Sequence, residues 1–100
     1  MKKIAVLGST GSIGKSTLQV VKHLGVEIVA LGCHKNIELL EEQILEFRPS
    51  IVAVYDEKAA LALQKKNLDV EIVVGKEGMC HIAALDEVEF VLMAIMGLAA

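Results

Sequence analysis

Apolar residues fall along this chain in two alternating patterns. Short unbroken runs stand at Ile4–Leu7, Val26–Gly32, Ile51–Asp56, Val70–Gly75 and Phe90–Gly97, and four of the five run into or end on glycine. Such runs predict strands buried on both faces. Between them the apolar positions recur every three or four residues. Ile13, Thr17, Val20, Val21 and Leu24 mark the apolar face of a first helix opening at Ser12, with Gly25 as its stop. Asn36 suits the N-cap of a second, in which Ile37, Leu40, Ile44 and Phe47 share one face. Glu38, Glu41, Glu42 and Glu46 stay in solvent there, and Pro49 ends the helix. The Ala-rich stretch from Glu57 predicts a third helix closing at Asn67. A short fourth is expected at Met79–Leu85, with Gly78 weakening its start.

Strands alternating with helices at this spacing predict a parallel sheet covered by helices on both faces, a three-layer α/β/α arrangement joined by right-handed crossovers. The chain stops after the fifth run without a further helix. It therefore reads as one domain, residues 1–100, forming the front part of a doubly wound fold truncated at its C-terminal end. No repeat, linker or low-complexity stretch interrupts it.

Composition narrows the function classes. The hydrophobic share is 54%, yet Phe, Tyr and Trp together make up only 3%, so the core is aliphatic. Ten basic residues are scattered without a run, the net charge is -3, and aromatics are too few to stack bases; nucleic-acid binding finds no support. No apolar stretch reaches the length of about 18 residues needed to span a bilayer. The start, Met1-Lys2-Lys3 before Ile4–Leu7, is too short and too soon broken by Gly8 for a signal peptide. Cys33 and Cys80 lack metal or redox spacing, and unpaired thiols predict a reducing cytoplasm.

The segment GSTGSIGKST, Gly8 to Thr17, carries the candidate chemistry. A triphosphate loop requires G-x-x-x-x-G-K-[ST]. Gly14-Lys15-Ser16 supply its second half, but the first glycine would then be residue 9, which is serine. Asp56, ending an apolar run, is the one other feature a magnesium-nucleotide site would use. Gly8, Gly11 and Gly14 instead form G-x-x-G-x-x-G between a strand and a helix, a variant of the Rossmann dinucleotide fingerprint. There the first glycine makes the turn, the second lets a pyrophosphate approach the backbone, and the third lets the helix pack closely. A glycine-rich turn without a ligand is the plain structural alternative.

The second strand bears on the cofactor. An NAD site places Asp or Glu about 20 residues on, to hold the ribose 2'-hydroxyl. Here the strand leads into Cys33-His34-Lys35-Asn36. Lys35, with His34 and a helix start at Asn36, suits a 2'-phosphate and predicts NADP(H). The remaining candidates read as structural. His23 ends the first helix, Cys80 and His81 pack on the fourth, Met93 and Met96 belong to the core, and nothing beside Cys33 marks a nucleophile.

The segments LGSTGSIGKSTLQVV, HKNIELLEEQILEFRPSIVAVYDE and HIAALDEVEFVLMAIMGLAA resemble the opening of the 1-deoxy-D-xylulose 5-phosphate reductoisomerase family, and the likeness covers essentially the whole chain. It implies an NADPH-dependent oxidoreductase that rearranges and reduces 1-deoxy-D-xylulose 5-phosphate to 2-C-methyl-D-erythritol 4-phosphate with Mg²⁺ or Mn²⁺, as a cytoplasmic homodimer. It implies cofactor contacts from Thr10, Gly11, Ser12, Ile13, Lys35 and Asn36, and from His34 through its backbone, where the family often has glycine. The family is several times longer. Its metal ligands, substrate-phosphate site and active-site loop lie beyond Ala100, so the chain is expected to bind cofactor and not to catalyse alone. A non-catalytic NADP(H)-sensing module is the rival within the same fold.

Overall fold

The computed structural model describes residues 2–94. Five strands, β1 Lys3–Leu7, β2 Glu27–Cys33, β3 Ile51–Val54, β4 Glu71–Val74 and β5 Phe90–Met93, alternate with four helices, α1 Ser12–Val21, α2 Ile37–Phe47, α3 Glu57–Gln64 and α4 Gly75–Ala83. All pairings are parallel, in the order β4-β3-β2-β1-β5. The chain steps outward from β1 to β4, then returns across the sheet to place β5 on the far side of β1. Connections thus leave β1's two neighbours in opposite directions, which opens a crevice at its C-terminal end.

The two faces divide the core. Leu18 of α1, Leu40 and Ile44 of α2, and Ala60 and Leu63 of α3 pack on Ile4, Val6, Leu31, Cys33, Val52 and Val54. Met79 and Ile82 of α4 cover Ala5, Leu7, Ala30, Ile51 and Ala53 on the other face. The expected three-layer parallel architecture is what forms. The expected extension of β5 to Gly97, and Met96 with it, lies outside the described residues.

Three details depart from expectation. In α1 the residues buried against the sheet are Gly14 and Leu18, with Val21 half-buried behind them. Ile13, Val20 and Leu24 are instead 63%, 59% and 65% exposed. The helix carries two apolar stripes, and the one toward the sheet begins with a glycine, which sequence hydrophobicity does not register. Helix α4 starts at Gly75, four residues before the expected Met79. Gly75, at φ 73°, lets β4 turn straight into the helix. Gly78 does not weaken it: a Cβ there would stand 2.9 Å from the Val73 carbonyl carbon, so glycine is what lets α4 lie on β4. Finally, Cys80 and His81 are exposed rather than packed, and Met93 is 46% exposed on β5.

Candidate functional site

Leu7 and Gly32 are register partners on adjacent parallel strands. The loops leaving β1 and β2 therefore emerge side by side, about 5 Å apart at their strand ends. One carries Thr10, Gly11, Ser12 and Ile13, the other His34, Lys35 and Asn36. The two groups singled out from sequence thus lie along one rim of the sheet.

The glycine loop is tied down at its start and open at its end. Gly8 adopts φ 96°, a turn that only glycine makes without strain. The amides of Gly8 and Ser9 both donate to the Gly32 carbonyl, at 2.7 and 2.9 Å, and the Ser9 hydroxyl reaches the same oxygen at 3.4 Å. The Gly11 amide closes the turn onto the Gly8 carbonyl at 3.1 Å. A Cβ on Gly14 would stand 2.6 Å from Ser9 Cα and 2.8 Å from the Gly8 carbonyl carbon, all rigid backbone. The third glycine thus does what the fingerprint predicts.

Gly11 is different. Its φ of -81° suits any residue, and a Cβ would meet only the Gly8 carbonyl oxygen, at an ordinary 3.5 Å. Neither its conformation nor packing among the described residues requires glycine there, while the position is exposed at the start of α1. Helix α1 has no side-chain cap and no acidic residue in its first turn. Among the described residues, the amides of Thr10, Ser12, Ile13 and Gly14 have no hydrogen-bond partner. A bare backbone with unpaired amides at a helix N-terminus, next to a position that omits its Cβ without internal need, fits a close-approaching anion such as a pyrophosphate.

On the second loop, Asn36 caps α2 as expected, its Oδ1 accepting from the Leu39 amide at 3.3 Å. Lys35 is exposed and forms no ion pair among the described residues. The His34 carbonyl accepts from the Asp56 amide at 2.9 Å, and the His34 ring meets Tyr55 edge-on with centroids 5.4 Å apart. His34 is thereby fixed against the end of β3. Cys33 is buried, and burial pushes its thiol up to about 12 despite the hydrogen bond from Asn36 that lowers it; it is no nucleophile at neutral pH. Asp56, the aspartate a magnesium-nucleotide site would use, accepts from the Ala59 amide at 2.9 Å and caps α3.

One residue escaped the sequence reading. Gln43 of α2 is only 6% exposed, and its Nε2 donates to the Ser9 carbonyl at 2.8 Å. Its signal was present: an amide standing on the apolar stripe between Leu40 and Phe47. Among the described residues no three His, Cys, Asp or Glu side chains converge as a metal would need, and no helix is long and apolar enough to cross a membrane.

Comparison with known proteins agrees along the whole chain. The 1-deoxy-D-xylulose 5-phosphate reductoisomerase of Thermodesulfovibrio yellowstonii is 46% identical over 99% of this chain, and that of Caldanaerobacter subterraneus subsp. tengcongensis is 48% identical over 99%. The chain spans about a quarter, 26%, of the length of these relatives. Among solved structures, DOX-P reductoisomerase in complex with NADPH, fosmidomycin and magnesium superposes with a TM-score of 0.84 at 30% identity. That match takes in 95% of this chain and 24% of the other. A sequence profile described as 1-deoxy-D-xylulose 5-phosphate reductoisomerase matches residues 4–100. With a glycine loop, a strand order and relatives that all agree, this chain belongs to the 1-deoxy-D-xylulose 5-phosphate reductoisomerase family.

Proposed function

We propose that residues 1–100 form the NADPH-binding portion of an enzyme that converts 1-deoxy-D-xylulose 5-phosphate to 2-C-methyl-D-erythritol 4-phosphate. The observation that carries the reading is the open first turn of α1, whose amides have no partner among the described residues, beside a Gly11 that nothing among those residues demands. In this reading the backbone of Thr10, Gly11, Ser12 and Ile13 holds the pyrophosphate. Lys35 and the start of α2 at Asn36 hold the 2'-phosphate, which explains the lack of an acidic residue after β2. His34, braced on Tyr55, borders the same rim through its backbone.

Bound NADPH supplies the hydride that reduces the rearranged aldehyde; these residues bind and orient it. Family membership and the NADPH complex of a related structure support this assignment. The relatives are about four times as long as this chain, so the sugar-phosphate site and the carboxylates for Mg²⁺ or Mn²⁺ are assigned outside residues 1–100. A cytoplasmic homodimer belongs to the same proposal.

The test is a fluorescence titration with NADPH, competed by NADH and by MgATP. Lys35→Ala is expected to weaken NADPH about tenfold or more while leaving NADH unchanged, because only the 2'-phosphate meets that ammonium. Preferential binding of MgATP would sink the dinucleotide assignment. NADPH binding without turnover of the sugar phosphate by the protein made from its complete reading frame would favour a sensing module.

A further inference from the structure

We propose that Gln43 is a positioning residue that aims the Thr10 amide at the cofactor and sets the spacing between its two phosphate sites; the inference rests on the NADPH reading above. The hydrogen bond spans 34 residues of sequence and joins α2 to the glycine loop. It holds the Ser9 carbonyl toward α2. In a trans peptide the following N–H points the opposite way, so the same bond turns the Thr10 amide outward from α2. That amide has no partner among the described residues. Ser9 is fully buried and already tied to Gly32 through its own amide. The Gln43 bond fixes the remaining freedom of this peptide plane.

The same helix begins at Asn36, beside Lys35. Seven residues of helix separate Asn36 from Gln43, about 10 Å of rigid rise. One element therefore carries the proposed 2'-phosphate site at its start and grips the pyrophosphate loop two turns later. A ligand with both groups profits from that fixed spacing; a ligand with one does not.

A purely structural role explains less. Gln43 Oε1 is buried with no hydrogen-bond partner among the described residues, a standing desolvation cost. An unbranched apolar side chain would fill the same space without that orphan, and would differ only in leaving the Ser9 carbonyl without its donor. Turning the amide over would set its oxygen against the Ser9 carbonyl, so the orphan is not a matter of orientation. What Gln43 alone provides is the donor to Ser9.

Calorimetric titration of the protein made from its complete reading frame, with NADPH and separately with adenosine 2'-monophosphate, tests this. Gln43→Met keeps the length and volume and removes the donor. The expected result is an NADPH dissociation constant raised about tenfold, with that of adenosine 2'-monophosphate changed by less than about twofold. Unchanged NADPH affinity would overturn the proposal. Equal weakening of both probes would also overturn it, since that pattern reports damage to α2 rather than misaiming of the loop. Should Gln43→Met fail to fold, Gln43→Leu removes the donor with a different apolar shape on the same buried face, and the same two results decide. Failure of the unmutated protein to bind either probe would overturn the NADPH reading itself, and this inference with it.

Discussion

Two glycines three residues apart carry opposite burdens. Gly14 is required by packing: a methyl group would collide with the backbone of Gly8 and Ser9, which cannot move aside because both amides are anchored on Gly32. Gly14→Ala is expected to destabilise the fold by about 3 kcal/mol or more, read by denaturant titration. Gly11→Ala meets no such obstacle and reduces the freedom of the unfolded chain, so stability should stay within about 0.5 kcal/mol. Its NADPH affinity should nonetheless fall about tenfold, since the proposed pyrophosphate contact needs close approach to the bare backbone at this position. Cys33 gives a third expectation at this scale. Its thiol is pushed up to about 12 from 9.0 by burial. The neutral form is the one the fold favours, so this contribution is intact below pH 9 and is lost as pH rises from 9 toward 12. Cys33→Ala should therefore flatten that part of the stability profile relative to the parent. At pH 8 a thiol reagent should modify the exposed Cys80 quickly and Cys33 only on unfolding.

The helices differ in how much of themselves the sequence declares. Of the two side-chain caps, Asn36 before α2 is legible in the sequence, because an oxygen-bearing side chain ahead of an apolar-periodic stretch has one dominant local use; Asp56 before α3 is masked by the apolar run it closes, which makes it look like the end of a strand. Asp56→Ala should lose about 1 kcal/mol of stability and leave NADPH affinity and any metal dependence unchanged; loss of nucleotide binding would instead revive a magnesium role for that carboxylate. Other features were illegible for physical reasons. The buried stripe of α1 runs through Gly14, which has no side chain to register as apolar, so the more conspicuous Ile13, Val20 and Leu24 drew the helix round to the wrong face. Gly78 resembles a helix breaker in sequence and is a contact point in the fold, because the backbone of Val73 that needs the space lies on another element. Gln43 was hidden the same way: its partner, the Ser9 carbonyl, is 34 residues distant, and a backbone oxygen leaves no trace in sequence.

Taken whole, the molecule gathers its candidate residues by topology rather than by proximity in the chain. Thr10 to Ile13 and His34 to Asn36 meet because β1 and β2 are parallel neighbours. The doubly wound pattern and the glycine fingerprint predict that these two loops share a rim; the choice of Thr10, Ser12 and Ile13 within the first rests on the family resemblance. A ligand bridging both loops binds only when the strands are paired, so it should stabilise the entire sheet. NADPH at 100 times its dissociation constant should add about 2.7 kcal/mol to global unfolding, seen as a shifted thermal midpoint that Lys35→Ala reduces.

The order β4-β3-β2-β1-β5 also sets a timetable. The β1–β2, β2–β3 and β3–β4 pairs join consecutive strands, but Ile4 of β1 finds its other partner in Phe90. At typical rates of synthesis, one flank of β1 stays bare for on the order of ten seconds after the strand leaves the ribosome. The crevice beside the glycine loop is bounded by that last pairing. Within residues 2–94 that crevice is thus among the last pieces to close, and a nascent chain halted before β5 would carry the glycine loop complete with one neighbour of β1 still missing.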